Sequence, residues 1–281
     1  MYLPAELPGA RVLVTVKAYP KPSGKYEELV CTAGLLDGSK WIRIYPVPYR
    51  FLADSQMYPK YSWVRVNLVR NSSDFRPESY RPKNGLDEDF IVENTLGTKD
   101  AWAARKTYVL SEVFVSMTEL IALAKGSEKR SLATLRPSLI TDFKVRPSER
   151  EWKEEWTNQA LQRSFLEFAA SQEPEKRRLV QKVPFDYYYE FFSEGDNNPR
   201  KMKIEDWEIG ALYWHCLSQA QGDEAAANQL VREKYFDTFR SHNDIYFFLG
   251  TTKQYHNVAP NPFIIVGVFY PPKSLQEPLF K

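Results

Sequence analysis

EELVCTAGLLDGSKWIRIYPVPYRFL, residues 27–52, is the stretch that decides the fold. Two apolar runs flank the polar residues 37–40, which include a glycine. A short polar loop with glycine between two such runs is the usual signal of a β-hairpin. The sequence therefore predicts two neighbouring strands joined by this loop.

The second strand of this hairpin has two different faces. Successive side chains of a strand point to opposite sides, so Trp41, Arg43 and Tyr45 share one face, and Ile42 and Ile44 share the other. The isoleucine face is suited to a core. The opposite face carries a guanidinium between two aromatic rings.

A second segment repeats this design. In residues 61–69, Trp63 and Arg65 alternate with Val64 and Val66. If both strands align their polar faces in one sheet, the two Trp-x-Arg pairs form a single surface. Such a surface suits flat anionic ligands, because rings and guanidinium planes stack on bases while the charge attracts phosphate. Simple cross-strand packing of arginine on tryptophan is the structural alternative.

Two polar loops supply further cations. Residues 19–26 contain two prolines and a glycine, with Lys21 and Lys25, and they form either a solvated connection or a phosphate-contacting loop. Residues 71–84 are long, polar and basic, and loops of this length in compact domains are often functional or mobile. The predicted nucleic-acid-binding residues are Lys25, Trp41, Arg43, Tyr45, Arg50, Trp63, Arg65, Arg76 and Arg81.

The composition limits where such a surface can lie. A hydrophobic fraction of 43% and a charged fraction of 26% are those of an ordinary globular protein. The net charge of +2 excludes a histone-like global field, so a nucleic-acid surface must be a local patch. Aromatic residues make up 15% of the chain, and a large aromatic core is the simplest explanation of that fraction.

The cysteines and the apolar runs indicate a compartment. Cys31 and Cys216 alone provide neither a four-ligand zinc site nor a disulfide framework, so the sequence predicts a protein of the reducing cytoplasm. The N-terminal residues lack the basic and apolar regions of a secretory signal. No apolar run approaches the ~20 residues that span a bilayer, so no membrane partner is expected.

Motifs for cofactors and metals are weak. No G-x-x-x-x-G-K-[ST] motif is present and no G-x-G-x-x-G follows a strand, so we expect no cofactor. Residues 250–253, GTTK, could donate backbone N–H groups to a phosphate, although a turn after a strand explains them as well. The three histidines, His215, His242 and His256, are not at metal-ligand spacing, and we predict no metal site.

Two carboxylates at a helix start are the candidates for catalysis. Asp206 and Glu208 flank Trp207, and as the N-cap and a first-turn residue they would satisfy free backbone donors and the helix dipole. Alternatively, one of them acts as a general base or stabilises a transition state near an aromatic pocket, as in enzymes that act on an extruded base. The catalytic candidates are therefore Asp206 and Glu208.

The order of strands, helices and strands predicts an α+β fold. We expect a mainly antiparallel sheet or small barrel built from N- and C-terminal strands, with a helical middle section that includes helices at 111–125 and 148–171. The predicted regions are a β-rich N-terminal part (1–110), a helical part (111–180) and an α+β C-terminal part (181–281) that packs with the first as one unit.

Several segments carry a resemblance to known proteins: YPKPSGKYEELVCTAG, WIRIYPVPYRFL, RPESYRP, KIEDWEIGALY, FFLGT and IIVGVFYPP. Together they resemble an uncharacterised bacterial protein family that is associated with phage-defence and mobile-element neighbourhoods. This resemblance implies a nucleic-acid context and assigns no catalytic residue. In architecture the chain is also similar to PUA-like base readers, which hold a flipped or modified base against aromatic walls.

The leading functional hypothesis is a nucleic-acid-binding protein that recognises unpaired or modified bases in anti-phage defence, with DNA or RNA as its partner. An enzyme acting on nucleic acid, either a base-excising DNA glycosylase or a nuclease, is the alternative. A protein-interaction subunit with a protein partner is the second alternative.

Overall fold

The computed structural model describes residues 3–23, 27–37, 40–155, 158 and 180–273. Its strands fall into two sheets, numbered here in chain order. The first sheet contains β1 Glu6–Lys17, β2 Lys21–Ser23, β3 Glu27–Leu36, β4 Trp41–Val47, β5 Ser62–Arg70, β6 Ser79–Pro82 and β7 Ile91–Thr95. The second contains β8 Leu132–Leu135, β9 Leu139–Pro147, β10 Phe185–Phe192, β11 Arg200–Ile204, β12 Tyr246–Thr251 and β13 Phe263–Phe269.

The first sheet closes into a five-stranded barrel. Its strands follow the order β1, β3, β4, β6, β5, and β5 pairs again with β1, while β2 and β7 lie outside this ring. The predicted hairpin is confirmed as β3 and β4, with Leu35 opposite Trp41. Ile42 and Ile44 point into the barrel, where they pack in the same apolar cluster as Val64 and Val66. The predicted alternation of faces in β4 and β5 is therefore confirmed.

The second sheet is open. Its order is β8, β12, β13, β11, β10, β9, and only the β11–β13 pair is parallel. Strands β10 and β11 form an antiparallel hairpin, in which Tyr189 lies opposite Met202. Because β8 and β9 precede β10 in the chain and β12 and β13 follow it, this sheet needs the whole second half of the sequence to form.

Of the described helices, the first packs on the barrel and the others cover one side of the second sheet. The described helices are α1 Lys99–Val109, α2 Met117–Lys125, α3 Trp207–Gln219, α4 Glu224–Arg232 and α5 Phe239–His242, with a π-helical segment Glu233–Thr238 and 3₁₀ turns at Tyr49–Phe51, Asp54–Gln56 and Gly85–Asp87. The Asp206 side chain caps α3 by accepting a hydrogen bond from the Glu208 backbone N–H. Asp223 caps α4 in the same way. The cap role of Asp206 matches the sequence prediction.

One predicted helix begins later than expected. The prediction placed a helix at 111–125, but α2 begins at Met117, because Ser116 caps it by accepting from the backbone N–H of Glu119. Before this cap, Phe114 forms a β-bridge with Leu135. The other predicted helix, 148–171, lies largely outside the described residues.

Three apolar cores define the layers. One fills the barrel, and another lies between the second sheet and the helices α2 to α5. The third, called the seam core here, joins the outside of the barrel to the second sheet and consists of Leu13, Val16, Ala33, Leu35, Trp41, Tyr61, Trp63, Val109, Leu132, Phe248 and Phe269.

The predicted α+β class is confirmed. The barrel closes with N-terminal strands alone, and the C-terminal strands form the sheet that packs against it. The sequence did not predict β7 or α1. Among the described residues, none of the helices has both the length and the apolarity needed to cross a bilayer.

Candidate functional site

The two predicted stacking tryptophans are buried. Trp41 is 7% exposed and packs edge-on against Phe248 of β12, with ring centroids 5.4 Å apart. Trp63 is 2% exposed, with Tyr108 at 5.1 Å and the Arg11 guanidinium 4.2 Å above its ring. The prediction that these rings form a solvent-reachable face is therefore wrong, because the second sheet and α1 cover this side of the barrel.

Three of the predicted arginines bond neighbouring carboxylate or backbone oxygens, and the partner of Arg50, Glu28, is buried. Arg50 donates from Nη1 to both carboxylate oxygens of Glu28, at 2.6 and 2.5 Å. Arg65 is exposed and bonds Glu93 at 2.6 Å. Arg81 is also exposed and donates to the backbone oxygens of residues 82 and 83. Lys25 lies outside the described residues. The described residues Arg50, Arg65 and Arg81 each bond a different partner, so these contacts do not join the three arginines into one patch.

The remaining predicted residues, Arg43, Tyr45 and Arg76, meet at a cavity between the two sheets. The cavity has a volume of about 570 Å³ and is bordered by β1, β3 and β4 of the barrel and by β8, β12 and β13 of the second sheet. This volume lies in the roughly 300–1,000 Å³ range typical of small-ligand sites. Its apolar walls consist of Val16, Ala18, Pro22, Leu29, Ala33, Leu132, Ile264 and Val266.

Two buried guanidiniums form one wall of this cavity. Arg43 and Arg76 are 4% and 6% exposed. The Thr251 carbonyl oxygen accepts from Nη2 of Arg43 at 3.3 Å and also from Nη1 of Arg76. Arg43 further donates to the hydroxyls of Ser79 and Ser131, at 3.1 and 2.9 Å. Because β12 supplies this carbonyl and the barrel supplies both arginines, the pair exists only when the two sheets are packed together.

The arginine pair carries an electrostatic cost. Burial lowers the pKa of Arg43, and the nearby charge of Arg76 lowers it further. Asp74 offsets part of this repulsion by pairing with Arg76 at 2.5 Å. Although burial raises the pKa of Asp74, its bonds with Arg76 outweigh burial and lower that pKa to about 2. A ligand that brings negative charge or carbonyl oxygens to this wall would lower the cost further.

The mouth of the cavity is polar and partly aromatic. Tyr45, Lys21 and Lys253 line the cavity and are exposed to solvent. Lys21 also pairs with Glu205 at 3.1 Å. The half-buried thiol of Cys31 lines the same cavity. The predicted phosphate-contacting role of residues 250–253 is compatible with this position, because all four residues border the cavity.

Tyr19 separates this cavity from a smaller one, of about 260 Å³, that is bordered by Asp206 and Gly210. The Tyr19 hydroxyl donates to the Gln181 carbonyl at 2.7 Å and accepts from the Trp214 indole N–H at 2.9 Å. These two bonds fix the ring against α3. The wall between the cavities is therefore rigidly held.

Gly210→Ala is expected to lower the free energy of unfolding by roughly 1–3 kcal/mol, the usual cost of overpacking a well-packed site. A Cβ at this position would overlap the Tyr19 ring, which cannot move without breaking its hydrogen bonds. Urea denaturation measures the change. Gly97→Ala is the matched control, since a Cβ there meets nothing within 4 Å. Equal losses in both variants would contradict this tight contact.

The two catalytic candidates lie at a buried ion cluster outside the main cavity. Lys60 Nζ donates to both oxygens of Asp206, at 3.0 and 2.9 Å, and to Glu208 at 3.0 Å. Burial raises the pKa of Asp206 to about 6 although Lys60 opposes the shift. Burial lowers the pKa of Lys60, but the two carboxylates outweigh burial and raise it. The observed roles of Asp206 and Glu208 are a helix cap and an ion cluster.

Several groups of the site had no signal in the sequence. No motif or spacing marks Lys60, Tyr19, Ser131 and Glu205, because each of them has a partner that lies far away in the chain. Within the ranges that the structure describes, no group of three or more His, Cys, Asp or Glu side chains is arranged to hold a metal ion.

Comparison with protein families gives two matches. Residues 113–281 match the family model described as Domain of unknown function (DUF8757), and residues 8–111 match the model described as Domain of unknown function (DUF8758). No curated protein matches the chain. The two matches meet between the barrel with α1 and the second sheet with its helices, and the main cavity is formed by residues of both.

Proposed function

The chain belongs to the family described as Domain of unknown function (DUF8757), and we propose its function from the residues of the chain itself. The protein binds nucleic acid by holding one unpaired or modified base in the cavity between the barrel and the second sheet. The observation that supports this proposal is the pair of buried guanidiniums, Arg43 and Arg76, on the wall of a largely apolar cavity.

A base matches this wall in shape and in charge. Ser79, Ser131 and Thr251 engage the edge N–H groups of Arg43, which leaves its flat face as the main contact for a ligand. Planar guanidiniums stack on aromatic rings, and the apolar walls would hold the ring from other sides. The carbonyl oxygens of a base would bring partial negative charge to the arginine pair.

The residues at the mouth of the cavity suit a ligand that extends from the cavity into solvent. Lys21 and Lys253 can contact phosphates there, and Tyr45 offers an exposed ring beside them. A base whose sugar and phosphate emerge at the mouth uses all three residues. This placement replaces the predicted surface of Trp41 and Trp63 while it keeps Arg43, Tyr45 and Arg76 as binding residues.

No contact at the main cavity favours the enzymatic alternative. Asp206 and Glu208 are engaged by Lys60, and neither of them lines the main cavity. The protein-interaction alternative likewise lacks a contact that favours it. The anti-phage context and the cytoplasmic location belong to the same proposal and stay predictions.

Alkylation of Cys31 tests the proposal, because this thiol lines the cavity whereas Cys216 is buried. Random single-stranded DNA and RNA 12-mers are expected to slow the reaction of native protein with N-ethylmaleimide. Protein already alkylated at Cys31 is expected to lose affinity for the same 12-mers in fluorescence anisotropy. A Cys216→Ala protein serves as the control for labelling elsewhere.

Two results would overturn the proposal: alkylation that proceeds equally fast with and without oligonucleotide, or full affinity after alkylation. The use of DNA and RNA in parallel identifies the preferred polymer. Mass spectrometry of the recovered oligonucleotide would reveal a released base, which would support the glycosylase alternative instead.

A further inference from the structure

A half-exposed ring lies directly beside the cavity wall. Phe75 precedes Arg76 in the chain and is 39% exposed, whereas Arg76 is 6% exposed. These consecutive side chains therefore have different environments: Arg76 borders the cavity and Phe75 reaches solvent. The Asn71 side chain of the same loop donates to the Tyr45 backbone oxygen, so the loop also lies next to the exposed ring of Tyr45.

From this arrangement we propose a second subsite, formed by Phe75 and Lys129, that stacks the nucleotide next to the one in the cavity. This inference rests on the proposed function. It also specifies the ligand further: the bound molecule is a single strand of at least two linked nucleotides, and a free nucleotide fills only half of the site.

The Phe75 ring is held by a rigid neighbour. His256 is buried and meets Phe75 edge-on, with ring centroids 5.2 Å apart and planes at 74°. Nε2 of His256 lies 2.9 Å from the Ala124 carbonyl, so it is the donor there, and Nδ1 accepts from the Thr251 hydroxyl at 2.8 Å. Burial lowers the pKa of His256, which favours this neutral form.

Thr251 connects the two subsites. Its hydroxyl positions His256 under Phe75, and its carbonyl binds both Arg43 and Arg76. The ring outside the cavity and the guanidiniums inside it are therefore fixed to the same residue of β12. The two subsites are therefore held at a fixed separation, as the binding of successive nucleotides of one strand requires.

The charge near Phe75 suits a nucleic-acid strand. The Lys129 ammonium lies 5.7 Å from the centre of the Phe75 ring. A base stacked on that ring would bring its phosphate within reach of an amine, and stacking on an aromatic ring tolerates every base. Lys253 follows Thr251 and Thr252 in the chain and lines the main cavity.

Two variants each remove one group of the second subsite and leave the cavity residues unchanged. Phe75→Ala removes the ring. Lys129→Gly removes the ammonium and suits the backbone, because Lys129 has a φ of 50°, a left-handed conformation that glycine adopts readily. Ile91→Ala is the matched control, since Ile91 is an exposed apolar residue of β7 that does not line the cavity.

The probes are random DNA and RNA trinucleotides and the four nucleoside 5′-monophosphates, with binding measured by calorimetry. Phe75→Ala is expected to weaken trinucleotide binding roughly tenfold, as loss of one base stack does, and to leave monophosphate binding unchanged. Lys129→Gly is expected to weaken trinucleotide binding and to reduce its salt dependence.

Unchanged trinucleotide affinity in Phe75→Ala would overturn the second subsite. If monophosphates still protect Cys31 in that case, the proposed function stands alone. If wild-type protein binds neither trinucleotides nor monophosphates and Cys31 is never protected, both proposals fail.

Discussion

Replacing Lys60 with methionine is expected to lower the free energy of unfolding by about 3–5 kcal/mol, the usual cost of removing one partner of a buried ion pair. The ammonium is buried and bonds both oxygens of Asp206. Methionine fills a similar volume but leaves the Asp206 carboxylate without its cation. Denaturant unfolding of the full chain measures the change.

The same substitution should make stability more dependent on pH. Burial already raises the pKa of Asp206 to about 6, and loss of Lys60 would raise it further. An acid whose pKa is higher in the folded than in the unfolded state destabilises the fold as it ionises, so stability falls as pH rises through this range. The deficit of Lys60→Met should therefore be larger at pH 8 than at pH 5.

The Lys60→Met/Asp206→Asn double variant is the control for this cluster. It removes both charges, so it should be more stable at pH 8 than Lys60→Met alone. Equal stability of the single and double variants, or a deficit that does not change between pH 5 and pH 8, would contradict the role assigned to the ion pair.

The Lys21→Ala/Lys253→Ala variant is expected to bind single-stranded 12-mers roughly 25-fold more weakly at 0.1 M salt. Each phosphate contact on a single strand contributes about 0.7 to the slope of log K against log salt, so the loss of two contacts lowers that slope by about 1.4. Both lysines line the cavity and are exposed, so the fold should be unaffected. Anisotropy titrations at several salt concentrations measure the affinity and the slope.

Arg65→Ala/Arg81→Ala is the matched control for these two lysines. It also removes two exposed cations, but from barrel positions that do not line the cavity. Its affinity and salt slope should equal those of the wild type. The opposite ranking, with a large loss in Arg65→Ala/Arg81→Ala and none in the lysine variant, would place nucleic acid on the outer barrel surface.

Local patterns in the sequence predicted the β3–β4 hairpin, the alternation of faces in β5 and the start of α3 at Asp206. The alternation of Trp41, Ile42, Arg43 and Ile44 separates two faces of β4, as the structure confirms. What covers the outer face could not be predicted, because the covering residue, Phe248, lies about two hundred positions later. A period-two pattern gives the direction of a side chain and does not identify its partner.

The same limit of local sequence patterns applies to the residues of the site. Arg43, Tyr45 and Arg76 were among the predicted binding residues, and the structure brings them to one cavity. The prediction placed them on an open surface because no short-range signal records that Thr251 closes over Arg43 and Arg76. Lys60 and Asp206 are also far apart in the sequence. The sequence could therefore suggest the cap role of Asp206 but not its ion pair with Lys60.

The seam core also affects how the chain is made. Trp41 and Phe269 pack in this core although more than two hundred positions separate them in the chain, so Trp41 is synthesised well before Phe269. At a translation rate of about 5–20 residues per second, the interval is roughly 10–45 s. A barrel that folded during this interval would expose the apolar flank formed by Leu13, Trp41 and Trp63, because its covering residue Phe269 would not yet be present.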